Sequence, residues 1–185
     1  MQLGEDTITM SMTLNPVNEA AFQKAVQSLE TLNRAAVFHP TGTGKSCIAW
    51  KVVEAHPQTT FFWLVAGAQR LALRQAELTR YNGGTLPGNV RFCDCEKLAA
   101  ATPEQWVRLG EQKPGCIVLD CYHELSAVCW AQSVQKLLRM CPQAKVLGLG
   151  VPNGAPVCAA AQELFADCIG SHMTVAEAMA AGTMP

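Results

Sequence analysis

Charge is scarce in this chain. Only 16% of its 185 residues are Asp, Glu, Lys or Arg, and the two signs nearly cancel at a net −1. No bulk basic field advertises nucleic acid, so any such contact has to be local. No apolar run approaches the ~18 residues of a membrane-spanning helix. Met1 to Asn15 has neither the basic start nor the apolar core of a secretory signal. Internal repeats, low-complexity stretches and linker-like segments are all missing. The length suits one domain, enough to bury roughly 70% of its unfolded surface. The expected division is a polar lead-in over 1–14 and a single domain over 15–185.

What is abundant is apolar surface and cysteine. Apolar residues make up 49% of the chain, which points to a face covered by a partner chain or a second copy. Nine cysteines without a secretory signal point to reduced thiols and a cytoplasmic protein. Cys93 and Cys95 are too closely spaced for an ordinary zinc site and have no second cluster to complete one. Most of the others lie in apolar runs, where cysteine acts as a small hydrophobe.

One stretch carries recognisable chemistry. Ala35-Ala36-Val37-Phe38 is a short apolar run, His39-Pro40-Thr41-Gly42-Thr43-Gly44-Lys45-Ser46 follows it, and Cys47 to Glu54 reads as a helix. Strand, glycine-bearing turn, Gly-Lys-Ser and helix is the layout of a phosphate-binding P-loop. Gly42 and Gly44 let the backbone turn its N–H groups toward phosphate oxygens. The new helix aims its positive end at the same place. Lys45 adds a point charge, and the Ser46 hydroxyl can ligate Mg²⁺. The full pattern asks for Gly where this chain has His39.

The rest of the chain alternates. A helix is expected over Asn15 to Leu32, with Ala21, Phe22, Ala25, Val26 and Leu29 on one side and Asn15-Pro16 as its cap. On it, Phe22-Gln23 could stack on and hydrogen-bond a base, or could be core and solvent-facing residues. Thr59 to Val65 reads as a buried parallel strand, and Ala68 to Thr79 as a helix carrying Arg70 and Arg74. Asn89 to Cys93 is a strand, followed by two short helical turns. Cys116 to Asp120 is an apolar strand that delivers one carboxylate at its end, where such a group can hold Mg²⁺ through water. Ser126 to Met140 is an amphipathic helix, Ala144 to Leu149 a strand, and Pro156 to Phe165 and Thr174 to Ala181 helices. The fold class is therefore α/β, with a mainly parallel sheet covered by helices on both faces.

In this order the motifs resemble the first motor domain of superfamily-2 DEAD/DEAH-box helicases, the phage- and restriction-associated group above all, from about Asn15 to Pro185. The resemblance implies a three-layer RecA-like P-loop fold that binds ATP and Mg²⁺. It makes Pro40, Thr41, Gly42, Thr43, Gly44, Lys45 and Ser46 the nucleotide loop and Gln23 the upstream adenine contact. Arg70-Leu71-Ala72-Leu73-Arg74-Gln75 is similar to the helix that follows a nucleic-acid backbone, giving Arg70, Arg74 and Gln75 as DNA or RNA contacts. Asp120-Cys121-Tyr122-His123 is similar to D-E-x-H, with Lys45, Asp120 and His123 in catalytic roles and Ser46 and Asp120 on Mg²⁺. Gly148-Leu149-Gly150-Val151-Pro152 is similar to G-L-[ST]-A-T.

Departures from the family pattern qualify the function. The water-activating Glu of D-E-x-H is Cys121, a replacement worth about 10²–10⁴ in rate. Both hydroxyl residues of the third motif are gone, at Gly150 and Pro152. The second motor domain, source of the arginine finger, would have to come from elsewhere. The sequence thus implies an ATP-binding domain with impaired hydrolysis. The alternatives are a helicase or translocase subunit completed by a partner chain, and a non-catalytic interaction scaffold.

Overall fold

The computed structural model describes residues 12–120, 122–124, 127–152, 163–166 and 168–184. Its centre is a six-stranded sheet in the order β3-β2-β4-β5-β1-β6, built from β1 (Arg34–Phe38), β2 (Phe61–Val65), β3 (Val90–Asp94), β4 (Cys116–Asp120), β5 (Lys145–Gly150) and β6 (Ile169–His172). Every neighbouring pair is parallel. All residues of β2 and β4 are buried, which is why these strands read as continuous apolar runs rather than alternating ones.

Alternation along each strand sorts the core into two layers. Phe61, Trp63, Val65, Cys116, Val118, Leu147 and Leu149 face one side, with α1 (Pro16–Leu32), α2 (Lys45–Ala55) and α3 (Ala68–Tyr81) packed over them. Phe62, Leu64, Ile117, Leu119 and Val146 face the other. There they meet α4 (Cys95–Ala99), α5 (Pro103–Glu111), and a helical stretch made of α6 (Ala127–Cys129), a π-helical turn (Trp130–Val134) and α7 (Gln135–Met140). A final helix, α8 (Val175–Ala180), starts at Thr174 in a capping box closed by Glu177. The chain is thus a three-layer α/β domain of RecA-like arrangement.

Local chemistry sets the element ends. The Asn15 side chain accepts from the Asn18 N–H and Pro16 opens α1, while Asn33, left-handed at φ 58°, closes it. Two elements depart from expectation. The helix over Ser126 to Met140 is interrupted by the π-helical turn, where Trp130 and Val134 are buried against the sheet and the Ser133 hydroxyl donates to the Cys95 carbonyl at 2.6 Å. Strand β6 is not announced by the sequence, because Ile169-Gly170-Ser171-His172 offers one β-branched apolar residue and a glycine. It forms by adding to the edge of β1, with a register shift between Ala36 and Val37. The expected helix over Pro156 to Phe165 lies largely outside the described residues, as does most of the 1–14 lead-in.

Five of the cysteines, Cys93, Cys95, Cys116, Cys129 and Cys141, are buried, and the thiols described are all free. Burial pushes Cys93 and Cys116 up to about 12, so these act as packing groups. Among the described residues no helix is long and apolar enough to cross a membrane.

Candidate phosphate-binding cleft

The sheet brings its C-terminal strand ends together at one edge, where open parallel sheets bind ligands. Register fixes their spacing. Phe38 of β1 lies beside Gly150 of β5, and Leu149 lies beside Asp120 of β4. Asp120 therefore stands two strands away from the start of the glycine-bearing loop, with the end of β5 between them.

The loop from His39 to Gly44 turns on two glycines in the left-handed region, Gly42 at φ 87° and Gly44 at φ 88°. A Cβ on Gly44 would stand 2.8 Å from the Asn18 Nδ2. Gly44 is also the N-cap of α2, which leaves the first N–H groups of that helix facing the cleft. The Thr43 hydroxyl donates to the Pro40 carbonyl at 2.8 Å and braces the turn from inside. Lys45 donates from Nζ to the carbonyls of His39 and Pro40, both at 2.8 Å, so its ammonium lies over its own loop.

A cavity of about 500 Å³ opens here, within the usual range for small-molecule sites. Thr41, Gly42, Gly44, Lys45 and Ser46 line it from the loop, Arg70, Arg74, Glu77 and Tyr81 from α3, and Asp120, His123 and Val151 from the strand ends. The expected loop residues, Lys45, Asp120 and His123 thus meet at one cavity, with Pro40 and Thr43 buried in the wall behind it. Burial, then the charges of Lys45 and Arg70, lower the His123 pKa against a smaller opposing pull from Asp120. This histidine adds a neutral ring to the cleft at pH 7.

Asp120 is 3% exposed and carries the densest contacts of the site. Its Oδ2 accepts from Arg74 Nε at 2.5 Å and from the Trp63 indole at 3.0 Å, and its Oδ1 accepts from Arg74 Nη2 at 3.3 Å. Glu77 holds Arg74 Nη1 from one turn further along α3. Burial works against the Arg74 charge, but Asp120 and then Glu77 outweigh it and raise its pKa. Arg74, expected along a nucleic-acid backbone with Arg70 and Gln75, instead turns its guanidinium into the cleft. Arg70 is exposed and also lines the cavity, and Gln75 is half-buried on the same helix without lining it.

These contacts bear on the Mg²⁺ expected on Ser46 and Asp120. A divalent ion needs an accessible anionic oxygen, and here both carboxylate oxygens face a guanidinium. As arranged, Asp120 offers no oxygen clear of Arg74 for direct coordination, and an ion held through water would compete with the guanidinium for the same oxygens.

Two further residues hold the loop in place. Asn18, 4% exposed, donates from Nδ2 to the Thr43 carbonyl at 2.8 Å, and its buried Oδ1 has no partner among the described residues. Gln23 lies elsewhere, on the exposed side of α1, where its amide donates to Glu19 at 2.9 Å. The signal for Asn18 is present in the sequence. It extends the buried stripe Ala21, Ala25, Leu29 one turn toward the helix start, and a polar residue on such a stripe needs a partner. His39 is fully buried and shares a 2.8 Å hydrogen bond between its Nε2 and the Ser171 hydroxyl of β6. Burial first, then Lys45 and His172, lower its pKa from 6.5 to about 4. The position where the loop pattern asks for Gly thus fastens the loop to the edge strand.

At the end of β5, a Cβ on Gly148 would meet the Phe165 ring at 2.6 Å, and one on Gly150 would come within 3.0 Å of Phe38 and 3.1 Å of Tyr122. The space a hydroxyl side chain would need at 150 is filled by aromatic rings. Cys121 lies outside the described residues. No protein-family model matches this chain, and no curated protein matches it in sequence.

Proposed function

We propose that this chain is an ATP-binding domain built like the N-terminal motor domain of superfamily-2 DNA or RNA helicases and impaired in hydrolysis. The observation that carries the reading is the meeting of Gly42, Gly44, Lys45 and Ser46 with Asp120 and His123 around one cavity of about 500 Å³ at the strand ends. The chemistry on offer there is anion binding. Loop N–H groups and the start of α2 supply fixed partial charge, and Lys45 supplies a full charge that can leave its own carbonyls for a phosphate. Glycine at 42 and 44 lets a phosphate approach the backbone closely.

Impaired hydrolysis follows from composition. The residue after Asp120 is Cys121, and a thiol is a poor substitute for the carboxylate that would activate water. Loss of a positioned base costs about 10²–10⁴ in rate. Equilibrium titration with a fluorescent ATP analogue tests the reading. Saturable binding that Lys45→Ala removes is the expected result; no binding by the wild-type chain sinks it.

A further inference from the structure

The unusual group in the cleft is Arg74. Its guanidinium has five N–H donors in a rigid fork. Nε and Nη2 are directed at the two oxygens of Asp120, and Nη1 at Glu77. Those three bonds leave two donors, and Arg74 also lines the cavity that the loop closes from the other side. Asp120 in turn has its charge matched by a cation from its own chain, and the Trp63 indole fills further lone-pair capacity on Oδ2. Arg74 thus has the two properties a metal would have here. It neutralises Asp120, and it presents positive charge toward whatever occupies the cavity.

Resting on the nucleotide-binding reading above, we propose that Arg74 takes the place of a divalent cation at Asp120, so that this cleft binds the polyphosphate of its nucleotide without metal. Lys45 and the start of α2 receive the phosphates from the loop side, and the two remaining Arg74 donors receive them from the α3 side. An added divalent ion would have to displace a guanidinium held on three oxygens, two of Asp120 and one of Glu77. Charge balance agrees. Lys45, Arg70 and Arg74 line the cavity against Glu77 and Asp120, leaving it cationic before any metal is added.

The test is titration of the full chain with a fluorescent ATP analogue, once in EDTA and once in excess Mg²⁺, with inorganic tripolyphosphate as competitor. Wild type binds in EDTA, tripolyphosphate competes, and Mg²⁺ changes the affinity by less than about threefold. Arg74→Gln leaves Asp120 uncompensated, so binding in EDTA falls by about tenfold or more and Mg²⁺ restores it. Thermal melts without nucleotide give a second readout: Mg²⁺ leaves the wild-type Tm unchanged and raises that of Arg74→Gln. Should Arg74→Gln fail to fold, Arg74→Lys keeps a cation on Asp120, and the wild-type titration decides by itself. Wild-type binding that requires Mg²⁺ overturns the metal-free site and leaves nucleotide binding standing. No binding in either buffer overturns the nucleotide reading itself.

Discussion

The Asn18 side chain donates to the Thr43 carbonyl at 2.8 Å and so ties the first turn of α1 to the glycine-bearing loop, twenty-five residues away. The bond is buried, and the carbonyl it satisfies belongs to the segment that shapes the cleft. Asn18→Ala leaves that carbonyl without its partner, at a cost of about 1–2 kcal/mol. It also loosens the loop, so affinity for an ATP analogue falls with stability. Gln23→Ala removes only a surface contact with Glu19 and stays within about 0.5 kcal/mol of wild type. Urea unfolding of both variants checks the contrast. A large effect at Gln23 with none at Asn18 would return the upstream amide role to Gln23.

Gly44 sits in the same contact. At φ 88° any side chain is strained, and a Cβ would stand 2.8 Å from the Asn18 amide nitrogen. Gly44→Ala therefore costs about 1–3 kcal/mol for the backbone, with the clash added to it. The double variant Asn18→Ala/Gly44→Ala removes the clash but not the strain, so its loss is smaller than that of the two single variants together. Unfolding free energies of the four proteins in the cycle measure this. Strict additivity would show that the amide gives way freely and that backbone strain is the whole effect.

Much of this organisation is legible in the sequence, and the rest fails for physical reasons. Continuous apolar runs such as Phe61 to Val65 and Cys116 to Asp120 announce buried parallel strands because both of their faces are covered. Asn15-Pro16 marks a helix start because its chemistry is local. Strand β6 is invisible because its pairing, and not its composition, makes it a strand. Arg74 is visible as a cation on α3, but its direction depends on a carboxylate forty-six residues away. His39 looks like a missing glycine until the sheet brings Ser171 beside it. Local signals are readable one element at a time; roles assigned by tertiary contact are not.

His39 gives a pH dependence with a definite sign. Its pKa is about 4 in the folded protein against 6.5 as the ordinary value, so the unfolded chain binds the proton more readily. Stability from this group is complete above pH 6.5, declines as pH falls toward 4, and changes no further below that. The loss across the window reaches up to about 3 kcal/mol. His39→Gln can keep a hydrogen bond to Ser171 without titrating. Urea unfolding of both proteins from about pH 7 to pH 4.5 separates this histidine from the carboxylates they share. The wild-type curve falls more steeply; parallel curves would show that the buried ring has no such effect.

The last prediction joins Arg74 to Cys121. In the helicase family proposed above for this chain, a Glu follows the Asp at the end of the strand, so the simplest repair is Cys121→Glu. If Arg74 neutralises Asp120, that repair is insufficient, because the carboxylate beside the restored base still faces a guanidinium. Cys121→Glu alone then binds nucleotide and releases no more phosphate than wild type. Arg74→Gln/Cys121→Glu both frees Asp120 and supplies a base, and it releases phosphate in Mg²⁺ at a rate about 10²–10⁴ above either single variant. Single-turnover phosphate release in Mg²⁺ and in EDTA reads both requirements at once. Turnover by Cys121→Glu alone would show that Arg74 yields to the ion, and that the missing carboxylate is all that separates this cleft from an ATPase.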